Sequence, residues 1–143
     1  MRHTWSVLCS KQSVDRETNA ISLFEVIEAV QFYTKEIPTF PLVVPFSASL
    51  VSLWTRSTPD ESVKAFGKVR LLSPKGEELM SQGFEIELET HSRSRTVLQL
   101  QGVIVGGPGI HEWEISSRTS ETEKWERQTS IPMEVEIRKG PPK

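Results

Sequence analysis

The residues of this chain that could do chemistry are three histidines, one cysteine and two sets of strand-spaced glutamates. His3, His91 and His111 lie far apart. None is two or four residues from another, and none pairs with Cys9 at a zinc-ligand spacing, so the spacing offers no metal site and calls for no cofactor. Cys9 shares a parity with Trp5 and Val7, which reads as a buried, inert thiol; a nucleophile would need a histidine beside it. Glu85, Glu87 and Glu89 share one parity, and so do Glu134 and Glu136. Two carboxylates flanking a sugar are the glycosidase arrangement, but same-face charges along a strand are also how an antiparallel sheet meets water, and these read as a solvated face. Ser49 and Ser52 have no nucleophile-elbow context. Gly106-Gly107-Pro108-Gly109 is followed by no Lys-Ser/Thr, and Pro108 removes a donor that a phosphate cradle would need. The pattern assigns no catalytic, cofactor-binding or metal-binding residue and reads as a non-enzyme.

Two binding chemistries remain. Trp5, Trp54, Trp113 and Trp125 could cover sugar rings if at least two were exposed on one face, because a flat indole matches an apolar sugar face. All four fall on inward parities, which favours core packing. Arg93 and Arg95, with Lys11, Arg16 and Lys64, could form a basic patch, yet neighbouring acids dilute it. The chain balances 17 basic against 19 acidic side chains for a net charge of −2, so it lacks the electrostatic footprint of a nucleic-acid binder.

The elements that must position these residues follow from alternation. From Trp125 to Ile137 the odd positions carry Trp125, Ile131, Met133, Val135 and Ile137, broken by Arg127 and Thr129, while Glu126, Gln128, Ser130, Pro132, Glu134 and Glu136 fill the even ones. Side chains alternate faces along a strand, so this segment has one dry and one wet face. The same signal predicts strands at His3 to Cys9, Phe46 to Arg56 (Phe46, Ala48, Leu50 and Trp54 inward), Val63 to Leu71, Glu77 to Thr90, Leu98 to Ile104, and Trp113 to Ile115. A bulge near Gln82-Gly83 is expected, because Leu79 falls on the opposite parity to Phe84, Ile86 and Leu88. Ser73-Pro74-Lys75-Gly76 has the composition of a type I turn. Tyr33 to Pro45 contains Pro38, Pro41 and Pro45 and reads as a crossing loop or an edge. Ile21 to Phe32 reads two ways. Leu23, Val26, Ile27 and Val30 fit a helical stripe, whereas the Ile, Val and Phe content fits a strand bulged near Glu25.

A chain of 143 residues fits one domain, residues 1–143, with a frayed tail at 139–143. A domain of this size buries roughly 70% of the surface its unfolded chain exposes and needs no metal or disulfide to fold. With 36% hydrophobic and 25% charged residues the composition is that of a globular protein, not a disordered one. The single cysteine points to a reducing compartment. The opening Met1 to Cys9 lacks the apolar core of a signal peptide, and no apolar run approaches a membrane span, so the expected location is the cytoplasm with no membrane partner. Short strands separated by Gly/Pro turns predict an all-β fold: a two-sheet antiparallel β-sandwich, Ig-like in shape, with about seven or eight strands.

Three stretches together carry a family resemblance. The first is Trp5-Ser6-Val7-Leu8-Cys9, followed by Val14-Asp15-Arg16-Glu17-Thr18-Asn19 and Ile21-Ser22-Leu23-Phe24-Glu25-Val26-Ile27. The second is Phe40-Pro41-Leu42 with the later Leu71-Leu72-Ser73-Pro74-Lys75-Gly76-Glu77. The third is Gly107-Pro108-Gly109-Ile110-His111-Glu112-Trp113-Glu114-Ile115. In this order they resemble a family of small uncharacterised bacterial β-sandwich proteins, a domain of unknown function. The resemblance covers nearly the whole chain. Here Trp113 takes the place of a usual aromatic, and His111 intervenes. The resemblance implies the fold and a bacterial source, and it tips Ile21 to Phe32 towards strand. It implies no catalytic residue. The function expected is that of a non-catalytic intracellular interaction or scaffold module. It would bind a protein partner or a second copy of itself through a sheet edge or a loop, with Tyr33 to Pro45 and Arg118 to Glu123 as candidate surfaces. The alternative is a carbohydrate- or small-ligand-binding sandwich using exposed tryptophans.

Overall fold

The computed structural model describes residues 1–140, and among them there is no helix. Eleven strands follow one another: β1 (Arg2–Val14), β2 (Ile21–Val26), β3 (Ala29–Thr34), β4 (Leu42–Val44), β5 (Ala48–Thr55), β6 (Val63–Leu72), β7 (Glu78–Leu88), β8 (Arg93–Leu100), β9 (Val103–Val105), β10 (Gly109–Arg118) and β11 (Glu126–Lys139). They form a four-stranded sheet A in the order β2-β1-β5-β8, a five-stranded sheet B in the order β3-β11-β10-β6-β7, and a two-stranded sheet C, β4-β9. The chain is all-β as expected, but it has more strands than seven or eight. The proline-bearing loop contains β4, the stretch after β8 contains β9, and Ile21 to Phe32 divides into β2 and β3. That last segment is strand, not helix, and Glu25 adopts a left-handed backbone at φ 52° just before the division.

Sheet B is mixed, because β3 runs parallel to β11. The reason lies in the connection. Only Ile27 and Glu28 separate β2 from β3, so the chain passes between sheets without reversing. The Ile27 N–H donates to the Leu8 carbonyl at 2.8 Å, and the Glu134 N–H donates to the Glu28 carbonyl at 3.0 Å, which ties this crossing to both sheets. A second crossing, from β7 to β8, is held by Arg56. Its guanidinium donates to the carbonyls of Leu88 (3.0 Å), Glu89 (2.7 Å) and Pro59 (3.1 Å). At the end of β11, Lys139 pairs with Thr34 and the Gly140 N–H donates to the Thr34 carbonyl at 3.0 Å. Those two residues of the expected frayed tail are therefore tied to β3; residues 141–143 lie outside the described region.

One hydrophobic core receives side chains from all three sheets: Leu8, Leu50 and Trp54 from sheet A, Leu71, Ile86, Trp113 and Met133 from sheet B, and Val44, Val103 and Val105 from sheet C. Parity predicts this core well on β5, β6, β10 and the second half of β11. It fails where the register slips. On β1 the pairing to β5 shifts between His3 and Trp5. His3 therefore pairs with the core residue Trp54, while Trp5, Val7 and Cys9 pair with Leu53, Val51 and Ser49 on the opposite face. The inward residue of this strand is Leu8, not Val7. On β11 a shift opposite Ile115/Ser116 turns Trp125 outward in the same way. The β7 bulge lies at Leu79, between the pairs Leu71–Met80 and Leu72–Glu78, rather than at Gln82-Gly83. After β8 the chain breaks at Gln101-Gly102, which buries Val103 and Val105 and leaves Ile104 half-exposed.

Candidate functional site

The residues singled out by type are not brought together. Among the described residues no three His, Cys, Asp or Glu side chains gather where they could hold a metal ion. His111 is fully buried on β10, and both ring nitrogens are engaged. Nε2 accepts from the Gly106 N–H at 3.0 Å, and Nδ1 faces the Gly109 carbonyl at 3.3 Å. With Nε2 accepting, Nδ1 carries the proton and the ring is neutral. Burial pushes its pKa below the ordinary histidine value, against a smaller upward pull from the Gly109 carbonyl. The ring thus pins the corner at Gly106-Gly107-Pro108-Gly109, where Gly107 and Gly109 have φ of 122° and 129°. His3 lies edge-on to Trp54, with ring centroids 5.0 Å apart, and its Nε2 meets the Ser6 hydroxyl at 2.7 Å. Ser6 in turn meets Ser52 at 2.6 Å, and burial lowers the His3 pKa. His91 is exposed at a turn beside the Thr90 hydroxyl.

Cys9 is buried, as its parity with Trp5 and Val7 suggested, but on the outer face of sheet A. Burial raises its thiol pKa, and the backbone of Lys11 offsets part of that. What covers it is the β1–β2 hairpin. Cys9 pairs with Ser49 and Arg95 pairs with Leu53, so a straight hairpin would carry its tip roughly 30 Å away from Arg95 at a strand rise of about 3.3 Å per residue. Yet an Arg95 Nη2 donates to the Asn19 carbonyl at 3.1 Å. The hairpin therefore doubles back over the outer face, bending at the Ser10/Glu25 level where Glu25 is left-handed. This cover explains why Cys9, Ser49 and Val51 are buried although they lie outside the main core.

The glutamates meet water as their spacing suggested. Glu85 and Glu89 are exposed, Lys64 lies 3.7 Å from Glu85, and Glu87 accepts from the Glu89 N–H at the turn. The five basic residues do not form one patch. Lys64 is on sheet B, whereas Arg93 and Arg95 lie on sheet A near the hairpin tip that contains Arg16. Two tryptophans, Trp54 and Trp113, are in the core. Trp5 and Trp125 are half-buried on the outer faces of different sheets. The indole of Trp125 is covered by Arg118, 4.2 Å from the ring centroid, and by Lys68 at 4.7 Å.

The concavities lie elsewhere. A crevice of about 500 Å³ opens beside Leu8, Ile27 and Ile131 at the β2–β3 crossing, and one of about 460 Å³ lies at the glycine corner beside Phe40, Lys75 and Leu79. A third, also about 500 Å³, runs between β3 and β4. No model of a protein family, no curated protein and no solved structure matches this chain. Geometry is therefore the guide to these crevices: the first runs beside Ser6 to Leu8 of β1 and Ile131 and Pro132 of β11, and the third runs beside β3 and β4. It is lined by consecutive residues of both strands, Gln31 to Thr34 of β3 and Leu42 to Val44 of β4. Successive residues point to opposite faces, so a cavity that touches all of them lies along the strand edges and not on a face. Its floor is apolar, formed by Phe32, Ile137 and Val105, and its rim carries Tyr33 at 39% and Val43 at 69% exposure. Pro38, Pro41 and Pro45 were the sequence signal for an edge here. The groove residues Phe32, Val105 and Ile137 gave no such signal, because they reach it from three different strands.

Proposed function

We propose that this chain is a protein-interaction module that acts by contact and not by catalysis, as a β-sandwich-like scaffold with exposed strand edges. The proposal includes kinship with the small bacterial β-sandwich proteins that the sequence resembles, and a cytoplasmic location. The observation that carries it is the apolar groove along the unpaired edges of β3 and β4, within the Tyr33 to Pro45 stretch singled out by its prolines. A native edge is ordinarily blunted by proline, charge or cover. Here Pro38 and Pro45 flank the groove while Val43 and Ile37, at 73% exposure, stay open. The buried, hydrogen-bonded state of His111 and the hairpin cover over Cys9 also support a scaffold role, since both groups act in the fold itself.

The test is site-specific photo-cross-linking in living cells, with a photoreactive side chain at Val43 and, as a comparison, at Glu121 in the Arg118 to Glu123 loop. A discrete adduct of one mass at Val43, competed by excess unmodified protein, is expected. Absence of a discrete adduct at either position, with the protein folded and expressed, would overturn the contact reading. Light scattering after size exclusion separates the partner from the self-association version; a strict monomer at high concentration removes the latter.

A further inference from the structure

The groove has two walls of the same kind. β3 is the edge strand of sheet B, hydrogen-bonded on one side to β11, and β4 is hydrogen-bonded on one side to β9. No ladder joins β3 to β4 among the described residues. Each strand therefore leaves one backbone edge unpaired, both strands line the gap, and the apolar side chains of Phe32, Leu42, Val105 and Ile137 line it with them. Resting on the contact reading above, we infer that the groove takes an extended peptide segment of a partner protein, inserted as a strand between β3 and β4. It would join sheets B and C in the order β9-β4-peptide-β3-β11-β10-β6-β7.

The choice of occupant follows from the two walls. An edge strand already in a folded sheet has only one free edge, so it can satisfy β3 or β4 but not both. A segment outside any sheet has both edges free and can satisfy both rows at once, while its alternate side chains reach the apolar floor. That argues against an edge strand of a second copy of this chain. The floor asks for Val, Ile or Phe at every other position. The rim, with Gln31 and Tyr33 on one side and Val43 on the other, accepts polar or apolar residues between them. With six residues in β3 and three in β4, the peptide would pair over at most six residues on one side and three on the other.

The experiment titrates isotope-labelled protein with a pool of synthetic seven-residue peptides. They carry Val, Ile, Phe or Tyr at alternate positions and Thr or Lys between. Amide resonances are followed, and the tightest binder is then resynthesised in two forms. One form has its odd amides N-methylated and the other its even amides, because successive amides of a strand point to opposite neighbours. Saturable shifts confined to residues 29–34 and 42–44 are expected, with at least a tenfold loss of affinity in both methylated forms. Val43→Asp and Tyr33→Lys, which alter exposed rim positions, should each weaken binding about tenfold and leave resonances elsewhere unchanged. Loss from only one methylated form would show one-edge docking and overturn the insertion. Binding that ignores methylation would reduce the site to a side-chain groove and overturn it too. Shifts elsewhere, or none from the whole pool at millimolar concentration, would do the same. A discrete cross-linked adduct in cells would then still uphold the contact reading, and its absence would end both.

Discussion

Gly67 tests the packing of sheet B against sheet A most directly. It pairs with Phe84 across β6 and β7, and it is buried. A Cβ built on Gly67 would lie 2.2 Å from both Cε2 and Cζ of Phe84 and 2.8 Å from Cδ2. Carbon atoms in contact sit about 3.5–4.0 Å apart, so the ring would have to move by more than an ångström. Beside the ring stands the fully buried Trp54, 6.2 Å away between ring centroids, whose Nε1 is held by the Thr96 hydroxyl at 3.2 Å. Gly67→Ala therefore forces Phe84 out of its place. Overpacking of this kind costs about 1–3 kcal/mol. The less flexible unfolded chain returns about 0.4–1 kcal/mol, which leaves a net loss of about 1–2 kcal/mol. Phe84→Ala alone removes a half-buried ring and costs about 2–3 kcal/mol. In the double variant the alanine at 67 meets no ring, so its own penalty vanishes and the two changes are coupled by at least 1 kcal/mol. Urea unfolding followed by tryptophan fluorescence measures all four species. Additivity within about 0.5 kcal/mol, or a neutral Gly67→Ala, would show that the ring does not lie over the glycine and refute the reasoning.

Two further outcomes follow from the same structure. Val135→Asp should cost several kcal/mol, because Val135 is 1% exposed in the core and would leave an unpaired charge there. Glu134→Lys, one residue away on the exposed face, should change stability by less than about 0.5 kcal/mol, and equal effects in thermal melts would contradict the register of β11. Stability should also fall on acidification below about pH 6.5. The pKa values of His3 and His111 are both lowered in the fold, so the unfolded chain takes up their protons first. Their contribution is complete above the unfolded value and is lost as pH falls through the folded one, with a slope of at most about 1.4 kcal/mol per pH unit for each histidine. His111→Gln should flatten part of that slope in urea titrations at pH 7 and pH 5; an unchanged slope would show that His111 is not buried as a neutral ring.

The sequence was legible wherever pairing ran without a shift. Ala48, Leu50 and Trp54 of β5, Ala65, Val69 and Leu71 of β6, and Met133 and Val135 of β11 are inward by parity and buried in fact. It misled on Trp5 and Trp125 for one physical reason. A single extra residue in a strand exchanges its two faces for everything beyond it. No composition marks the shifts at Thr4 or opposite Ile115/Ser116, because neither carries a glycine or proline. The shift at Leu79 could be inferred, since an apolar residue on the wrong parity requires one, and only its place was misjudged. Non-local features were the least legible. The groove depends on β3 lying beside β11, more than 100 residues later in the chain, and the alternation of neither strand encodes that pairing.

The slip in β1 also decides which apolar surface the fold must cover. The shift near Thr4 moves Val7 and Cys9 off the core, so their face needs another cover, and the doubled-back β1–β2 hairpin supplies it, tied down by Arg95 at Asn19. The edge between β3 and β4 has no such cover: the chain folds a hairpin over one apolar surface and leaves another open along unpaired backbone. A fold that needed only stability would gain by closing both. On the contact reading proposed above, the β3–β4 edge is one place where a segment from outside would complete the sheet.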